Sequence, residues 1–129
     1  MARILVIDDD KSFLDMLVQT LTHEGHEVDY ASDAEIGFEM LIEGLPDLLI
    51  TDILMPNKDG LELLLDIQKR GISMPIIAIS GGGRSLSKAF SLETAHDLGA
   101  VEILAKPFTR QELKSVIAKA LQRVVTPWS

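Results

Sequence analysis

Short apolar runs alternate with stretches of helical period five times along this chain, and that alternation limits the fold more than any other feature. Arg3–Ile7 (RILVI) is an apolar run that ends in acids. Ser12 to about Glu24 follows, with Phe13, Met16, Leu17, Thr20 and Leu21 at helical spacing and Gly25 as the stop. Glu27–Ala31 (EVDYA) alternates polar and apolar residues, as a strand nearer a sheet edge does. Asp33 is placed to cap a helix that runs to about Glu43 and is stopped by Gly44 and Pro46. Asp47–Thr51 (DLLIT) is a third strand. The loop Met55-Pro56-Asn57-Lys58-Asp59-Gly60 then leads into a helix from Leu61 to about Arg70. Pro75–Ser80 (PIIAIS) is the fourth strand, and Gly81-Gly82-Gly83 breaks the pattern before a helix from Ser85 to about Leu98. Val101–Ala105 (VEILA) is the fifth strand. Lys106-Pro107 turns the chain, and Thr109 caps a last helix to about Val125.

Five such repeats predict an α/β fold with a parallel sheet covered by helices on both faces. Strands one, three, four and five are apolar nearly throughout, as fully buried strands are. The strands recur roughly every 25 residues, close to the least a βα unit needs, so one domain over residues 1–125 accounts for the chain. Residues 126–129 form a short tail.

Composition narrows the function. The chain has 129 residues, 47% of them hydrophobic, which suffices for a single core. It has no cysteine, so disulfides and thiolate metal sites are excluded. A reducing cytoplasm fits that usage. No apolar run reaches the roughly 18 residues of a membrane span, and no signal-peptide pattern opens the chain. The net charge of −8 argues against direct nucleic-acid binding, which needs a basic face. That acidity reads either as solubility or as acids gathered at a cation site, and position has to decide.

Ligands of open α/β sheets sit at the carboxyl ends of the strands. Here strand one ends in Asp8-Asp9-Asp10, strand three in Asp52, strand four in Ser80 and strand five in Lys106. Crowded carboxylates repel, and a divalent cation removes the conflict. An all-oxygen set suits Mg²⁺, Mn²⁺ or Ca²⁺ and disfavours Zn²⁺. A carboxylate beside a metal and a lysine can attack phosphorus and become an acyl phosphate. A single Asp after a strand is more often a helix cap, and Asp10 fits that role. Capping does not account for Asp52, which Ile53-Leu54-Met55-Pro56 follows with no helix start. Nor does it account for Lys106, whose ammonium at the end of a buried strand needs a partner. The triple glycine lacks a GK[ST] ending and is not a P-loop; a flexible hinge is the reading it favours.

From about residue 2 to residue 122 the sequence resembles a response-regulator receiver domain of two-component signalling. The resemblance rests on the acidic pair Asp8-Asp9, the D-x-x-M-P loop Asp52-Ile53-Leu54-Met55-Pro56 with Asp59-Gly60, the hydroxyl of Ser80, and Lys106-Pro107-Phe108. It implies a flavodoxin-like (βα)5 three-layer sandwich with strand order 2-1-3-4-5. It further implies that Asp52 accepts a phosphoryl group from a phosphohistidine on a sensor histidine kinase or a histidine phosphotransfer protein. Mg²⁺ is then held by Asp9 directly, by Asp8 mainly through water, by Asp52 and by the carbonyl of Leu54. Lys106 neutralises Asp52 and afterwards the phosphoryl oxygens, while Ser80 hydrogen-bonds the phosphoryl group. The Lys106–Pro107 peptide is expected to be cis. The output face is helix four, strand five and helix five, which meets a downstream protein target and leaves room for a weak homodimer. Nothing resembles an effector domain, so the chain is either a stand-alone receiver or one domain of a longer protein.

Three positions depart from the family pattern. Ile103 stands where many receivers carry a switching aromatic. Ser80 to Gly99 is about four residues longer than usual, which leaves helix four open to displacement or mobility. Leu54 and Gly82 offer no side chain to orient a water, so self-dephosphorylation is expected to be slow. The main competing function is a degenerate receiver that acts only as an interaction module. A phosphatase of the haloacid dehalogenase type needs DxDx[TV] after strand one, which Asp8-Asp9-Asp10-Lys11 does not supply. A flavin carrier would need a Ser/Thr-rich phosphate loop there, where acids would repel the cofactor phosphate.

Overall fold

The computed structural model describes residues 2–53, 60–80, 99–100 and 102–122, and of Ser80 the backbone alone. Leu54, the triple glycine, the expected 85–98 helix and everything past Gln122 lie outside the described residues. The strands are β1 (Arg3–Ile7), β2 (Glu27–Ala31), β3 (Leu48–Asp52), β4 (Ile76–Ser80) and β5 (Glu102–Ala105). The helices are α1 (Lys11–His23), α2 (Ala34–Glu43), α3 (Gly60–Lys69) and a C-terminal helix (Arg110–Gln122). The sheet is parallel throughout, in the order β2-β1-β3-β4-β5. Among the described residues, sheet order, element sequence and helix layers follow the expected flavodoxin-like pattern.

Strand parity builds the layers, because successive side chains point to opposite faces. Leu5, Ile7, Leu49, Ile76 and Ala78 face one way and pack with Ala34 and Leu41 of α2 and Leu63, Leu64 and Ile67 of α3. Ile4, Val6, Leu48, Ile50, Ile77, Ile79 and Leu104 face the other way. They meet Leu14, Leu17 and Leu21 of α1 and Leu113, Ile117 and Ala120 of the C-terminal helix. Burying each large apolar side chain is worth about 1.5–3 kcal/mol. The two cores therefore fix which strand residues are left for the rim.

The helix caps form as their residue types require. Asp10 caps α1 by accepting from the Phe13 N–H at 3.2 Å, and Asp33 caps α2 by accepting from Glu35 and Ile36. Thr109 and Glu112 form a reciprocal capping box at 2.9 and 3.0 Å. Two expectations need correction. Met16 is 42% exposed, and the buried stripe of α1 runs through Leu14, Leu17, Thr20 and Leu21. Strand β5 is mostly half-buried rather than fully buried, because it forms the second edge of the sheet.

The chain leaves β1 for β2 on one side and returns to β3 on the other. Strand order thus reverses between β1 and β3, and the crevice opens at their carboxyl ends.

Candidate functional site

Register puts the acids at one level. Ile7 pairs with Thr51, so Asp8 and Asp52 leave adjacent strands side by side. Asp52 pairs with Ile79, and Ser80 with Ala105, which brings Lys106 to the same edge. Asp8 is 0% exposed and Asp52 1%. Oxygens of Asp8, Asp9 and Asp52 all lie within 4.8 Å of one another.

The Lys106 Nζ donates to Asp8 Oδ2 at 3.1 Å and sits 3.8 Å from Asp52 Oδ2. Its first partner is therefore Asp8, with the expected partner Asp52 second. The Asp10 N–H donates to the other Asp8 oxygen at 2.9 Å. Burial pushes the Asp8 carboxyl above its ordinary range. The Asp10 N–H and the Lys106 ammonium pull it back only in part, and the Asp9 charge adds to the rise. The Lys106–Pro107 peptide is cis.

Two backbone details set Asp52. Its strand runs on into Ile53, whose N–H donates to the Ile79 carbonyl at 2.9 Å. Gly60, at the start of α3, comes back to donate to the Ile53 carbonyl at 2.7 Å. A Cβ on Gly60 would collide with the Asp52 carbonyl and lie 2.7 Å from the Ile53 Cα. Only glycine allows α3 to begin this close to the strand end.

The acid set fits a divalent cation. Asp9 Oδ1 is buried and has no hydrogen-bond partner, a costly state for a carboxylate oxygen. Three carboxylates against one ammonium leave two negative charges in excess. A hard cation with oxygen ligands would satisfy both conditions. The Leu54 carbonyl and the Ser80 hydroxyl, also expected here, lie outside the described atoms.

Sequence reasoning missed a second role of Phe13. It packs against the α1 core as helical spacing implied, and its ring also sits beside Lys106, with Nζ 3.9 Å from the ring centroid. Phe108 meets the same ring edge-on, at 5.6 Å and 84°. An aromatic three residues after the Asp10 cap was the available signal.

The family model of the response regulator receiver domain matches residues 4–118. The chain is 35% identical over 111 residues to the transcriptional regulatory protein DltR of Streptococcus agalactiae, covering 86% of this chain and 48% of DltR. It is 36% identical over 126 residues to the DNA-binding transcriptional regulator NtrC of Azospirillum brasilense, covering 98% of this chain and 25% of NtrC. A crystal structure of a response regulator receiver domain protein from Clostridium thermocellum superposes with a TM-score of 0.84 at 34% identity, covering 95% of this chain and 96% of that one. This chain belongs to the response regulator receiver domain family, and its class of function is that of a phosphoacceptor in two-component signalling. It spans about half the length of DltR and a quarter of NtrC.

Proposed function

We propose that Asp52 is the residue that carries the phosphoryl group. The observation that supports it best is the cluster of Asp8, Asp9 and Asp52 oxygens within 4.8 Å, flanked by the Lys106 ammonium. Asp52 ends a central strand and is buried, and the next residue, Ile53, has its backbone held by Ile79 and Gly60. An Asp52 oxygen attacks the phosphorus of a phosphohistidine on a sensor histidine kinase or a histidine phosphotransfer protein. The P–N bond breaks, and its electron pair leaves on the imidazole, which takes a proton. Asp8, Asp9, Asp52 and the Leu54 carbonyl would hold Mg²⁺. The ion supplies charge neutralisation for the phosphoryl oxygens. Lys106 contributes a second positive charge to the same oxygens, and Ser80 a neutral donor.

Phosphorylation replaces the single Asp52 charge with about two and adds strong acceptors. Ser80 and Lys106 are drawn toward them. Their shift repacks the ends of β4 and β5 and so alters the face formed by the expected 85–98 helix, β5 and the C-terminal helix. A downstream protein reads that face. The protein is not an enzyme acting on a separate substrate. It assists its own phosphorylation and loses the group slowly. Ile103 replaces the switching aromatic, so the signal is carried by backbone and helix shift. None of the described helices is long and apolar enough to cross a membrane, and the cytoplasm is the compartment that suits a kinase-fed acceptor.

Replacing Asp52 with Asn tests the assignment. Asp52→Asn should keep the fold, with an unchanged far-UV spectrum, and lose phosphoryl uptake from the kinase. Uptake at the parental rate would put the phosphoryl group elsewhere. A degenerate receiver, by contrast, would bind no beryllofluoride in the presence of Mg²⁺.

A further inference from the structure

Among the described residues three groups hold Lys106, two of them carboxylates and the third an aromatic ring. Its Nζ lies 3.1 Å from Asp8 Oδ2, 3.8 Å from Asp52 Oδ2 and 3.9 Å from the centroid of the Phe13 ring. The Lys106 side chain is 19% exposed, so the contact is largely desolvated, where a cation over an aromatic face gains most. Phe13 is placed by the first turn of α1, whose cap Asp10 receives the Phe13 N–H. Its ring also makes a T-shaped contact with Phe108, two residues beyond the lysine, at 5.6 Å and 84°.

We propose that Phe13 is a positioning residue for phosphoryl transfer, its ring face a neutral platform that holds the Lys106 ammonium between Asp8 and Asp52. This rests on the assignment of Asp52 as acceptor and of Lys106 as the charge on the phosphoryl oxygens. The chemistry of the site explains why a ring serves better than a third acid. Lys106 must exchange Asp8 or Asp52 for a phosphoryl oxygen, so Nζ has to travel a short way without losing its support. A carboxylate would bind it by directed hydrogen bonds and add negative charge against an incoming anion. An aromatic face stabilises the ammonium without net charge and takes up none of its donors.

The test uses the whole chain, Mg²⁺ and acetyl phosphate as donor, with uptake followed by intact mass. Position 13 is replaced by Leu, by Tyr and by 4-fluoro-, 3,5-difluoro- and 3,4,5-trifluorophenylalanine. Fluorine drains the ring face while barely changing its shape. Uptake should fall stepwise along the fluorine series. It should be roughly fivefold slower in Phe13→Leu and near the parental rate in Phe13→Tyr, the scale expected of one partly desolvated cation–π contact. The Lys106 ε-methylene protons should be shifted upfield by the ring in the parent and move to ordinary values in Phe13→Leu. A rate that stays flat across the fluorine series, or ε-methylene protons at ordinary shifts in the parent, overturns the proposal. If Phe13→Leu does not fold, the fluorine series decides alone. Lys106→Ala separates the two claims: full-rate uptake in that variant would sink the role of Lys106 itself. A slow Lys106→Ala beside a flat fluorine series would sink only the platform.

Discussion

Gly60→Ala places a methyl group against the backbone that carries the acceptor. The new Cβ would lie 2.7 Å from the Ile53 Cα and 2.9 Å from the Asp52 carbonyl carbon, and nearer still to the Asp52 carbonyl oxygen. Ordinary contact begins at 3.4 Å, so the Ile53 contact alone asks the two segments to part by 0.7 Å, and the Asp52 carbonyl oxygen asks for more. The three nearest obstructing atoms are all backbone, and no side-chain rotation relieves them. Overpacking of this kind costs about 3 kcal/mol. The entropy gained on replacing Gly by Ala returns at most about 1 kcal/mol. A net loss of about 2 kcal/mol lowers the melting temperature of a domain of this size by roughly 8 °C. The larger effect is on chemistry, because Asp52 moves relative to Asp8 and Lys106. A displacement near 1 Å costs phosphoryl uptake roughly ten- to hundredfold. Thermal melts followed by circular dichroism and uptake from acetyl phosphate measure both. Gly37→Ala is the control, since the atoms nearest its Cβ belong to the Ile7 side chain, and it should cost stability without comparable loss of uptake. Gly60→Ala with parental melting and parental uptake would refute the claim that this close approach sets Asp52.

Four further outcomes follow from the same geometry. Burial raises the Asp8 carboxyl, so the folded chain holds that proton more tightly than the unfolded chain. In EDTA, the parent should therefore lose stability relative to Asp8→Asn as pH rises from the ordinary carboxylate range through the raised one. Urea titrations across pH measure this, and a parent that gains on the variant contradicts it. Added Mg²⁺ should reverse the deficit, raising stability by about 2.7 kcal/mol at a hundredfold excess over its dissociation constant, and Asp9→Asn should remove most of that gain. Thr109→Ala breaks the capping box and should cost about 1 kcal/mol in urea unfolding while leaving phosphoryl uptake unchanged. The phosphorylated protein should persist for minutes or longer, since Leu54 and Gly82 carry no polar side chain; decay within seconds by mass spectrometry would contradict that.

What could be read from the sequence, and what could not, follows from the range of each signal. The strands of RILVI, DLLIT and PIIAIS were legible because a run buried on both faces has to be apolar at every position. The site was legible because Asp8, Asp9, Asp52 and Lys106 break those runs at their ends, and parallel strands in a sheet bring their ends together. Caps at Asp10, Asp33 and Thr109 were legible because they depend on neighbours within three residues. The exposure of Met16 was not, since helical period gives a stripe but not its centre. The half-burial of β5 depends on strand order, which the residues of VEILA do not encode by themselves. The approach of Phe13 to Lys106 was not legible for a related reason. Its partner Lys106 is brought near by the sheet and by nothing local to the helix. The preference of Lys106 for Asp8 over Asp52 is a matter of under 1 Å between two acids, finer than any pattern in the chain.

The central claim is that Asp52 becomes the phosphorylated residue. The most direct measurement is to phosphorylate the chain with Mg²⁺ and a phosphodonor and reduce it at once with borohydride. Reduction converts an aspartyl phosphate to homoserine, and the peptide that carries it is sequenced by tandem mass spectrometry. The account predicts homoserine at position 52 and unchanged aspartate at positions 8 and 9. Homoserine at position 8 or 9, or none anywhere after uptake has been verified by intact mass, would contradict it.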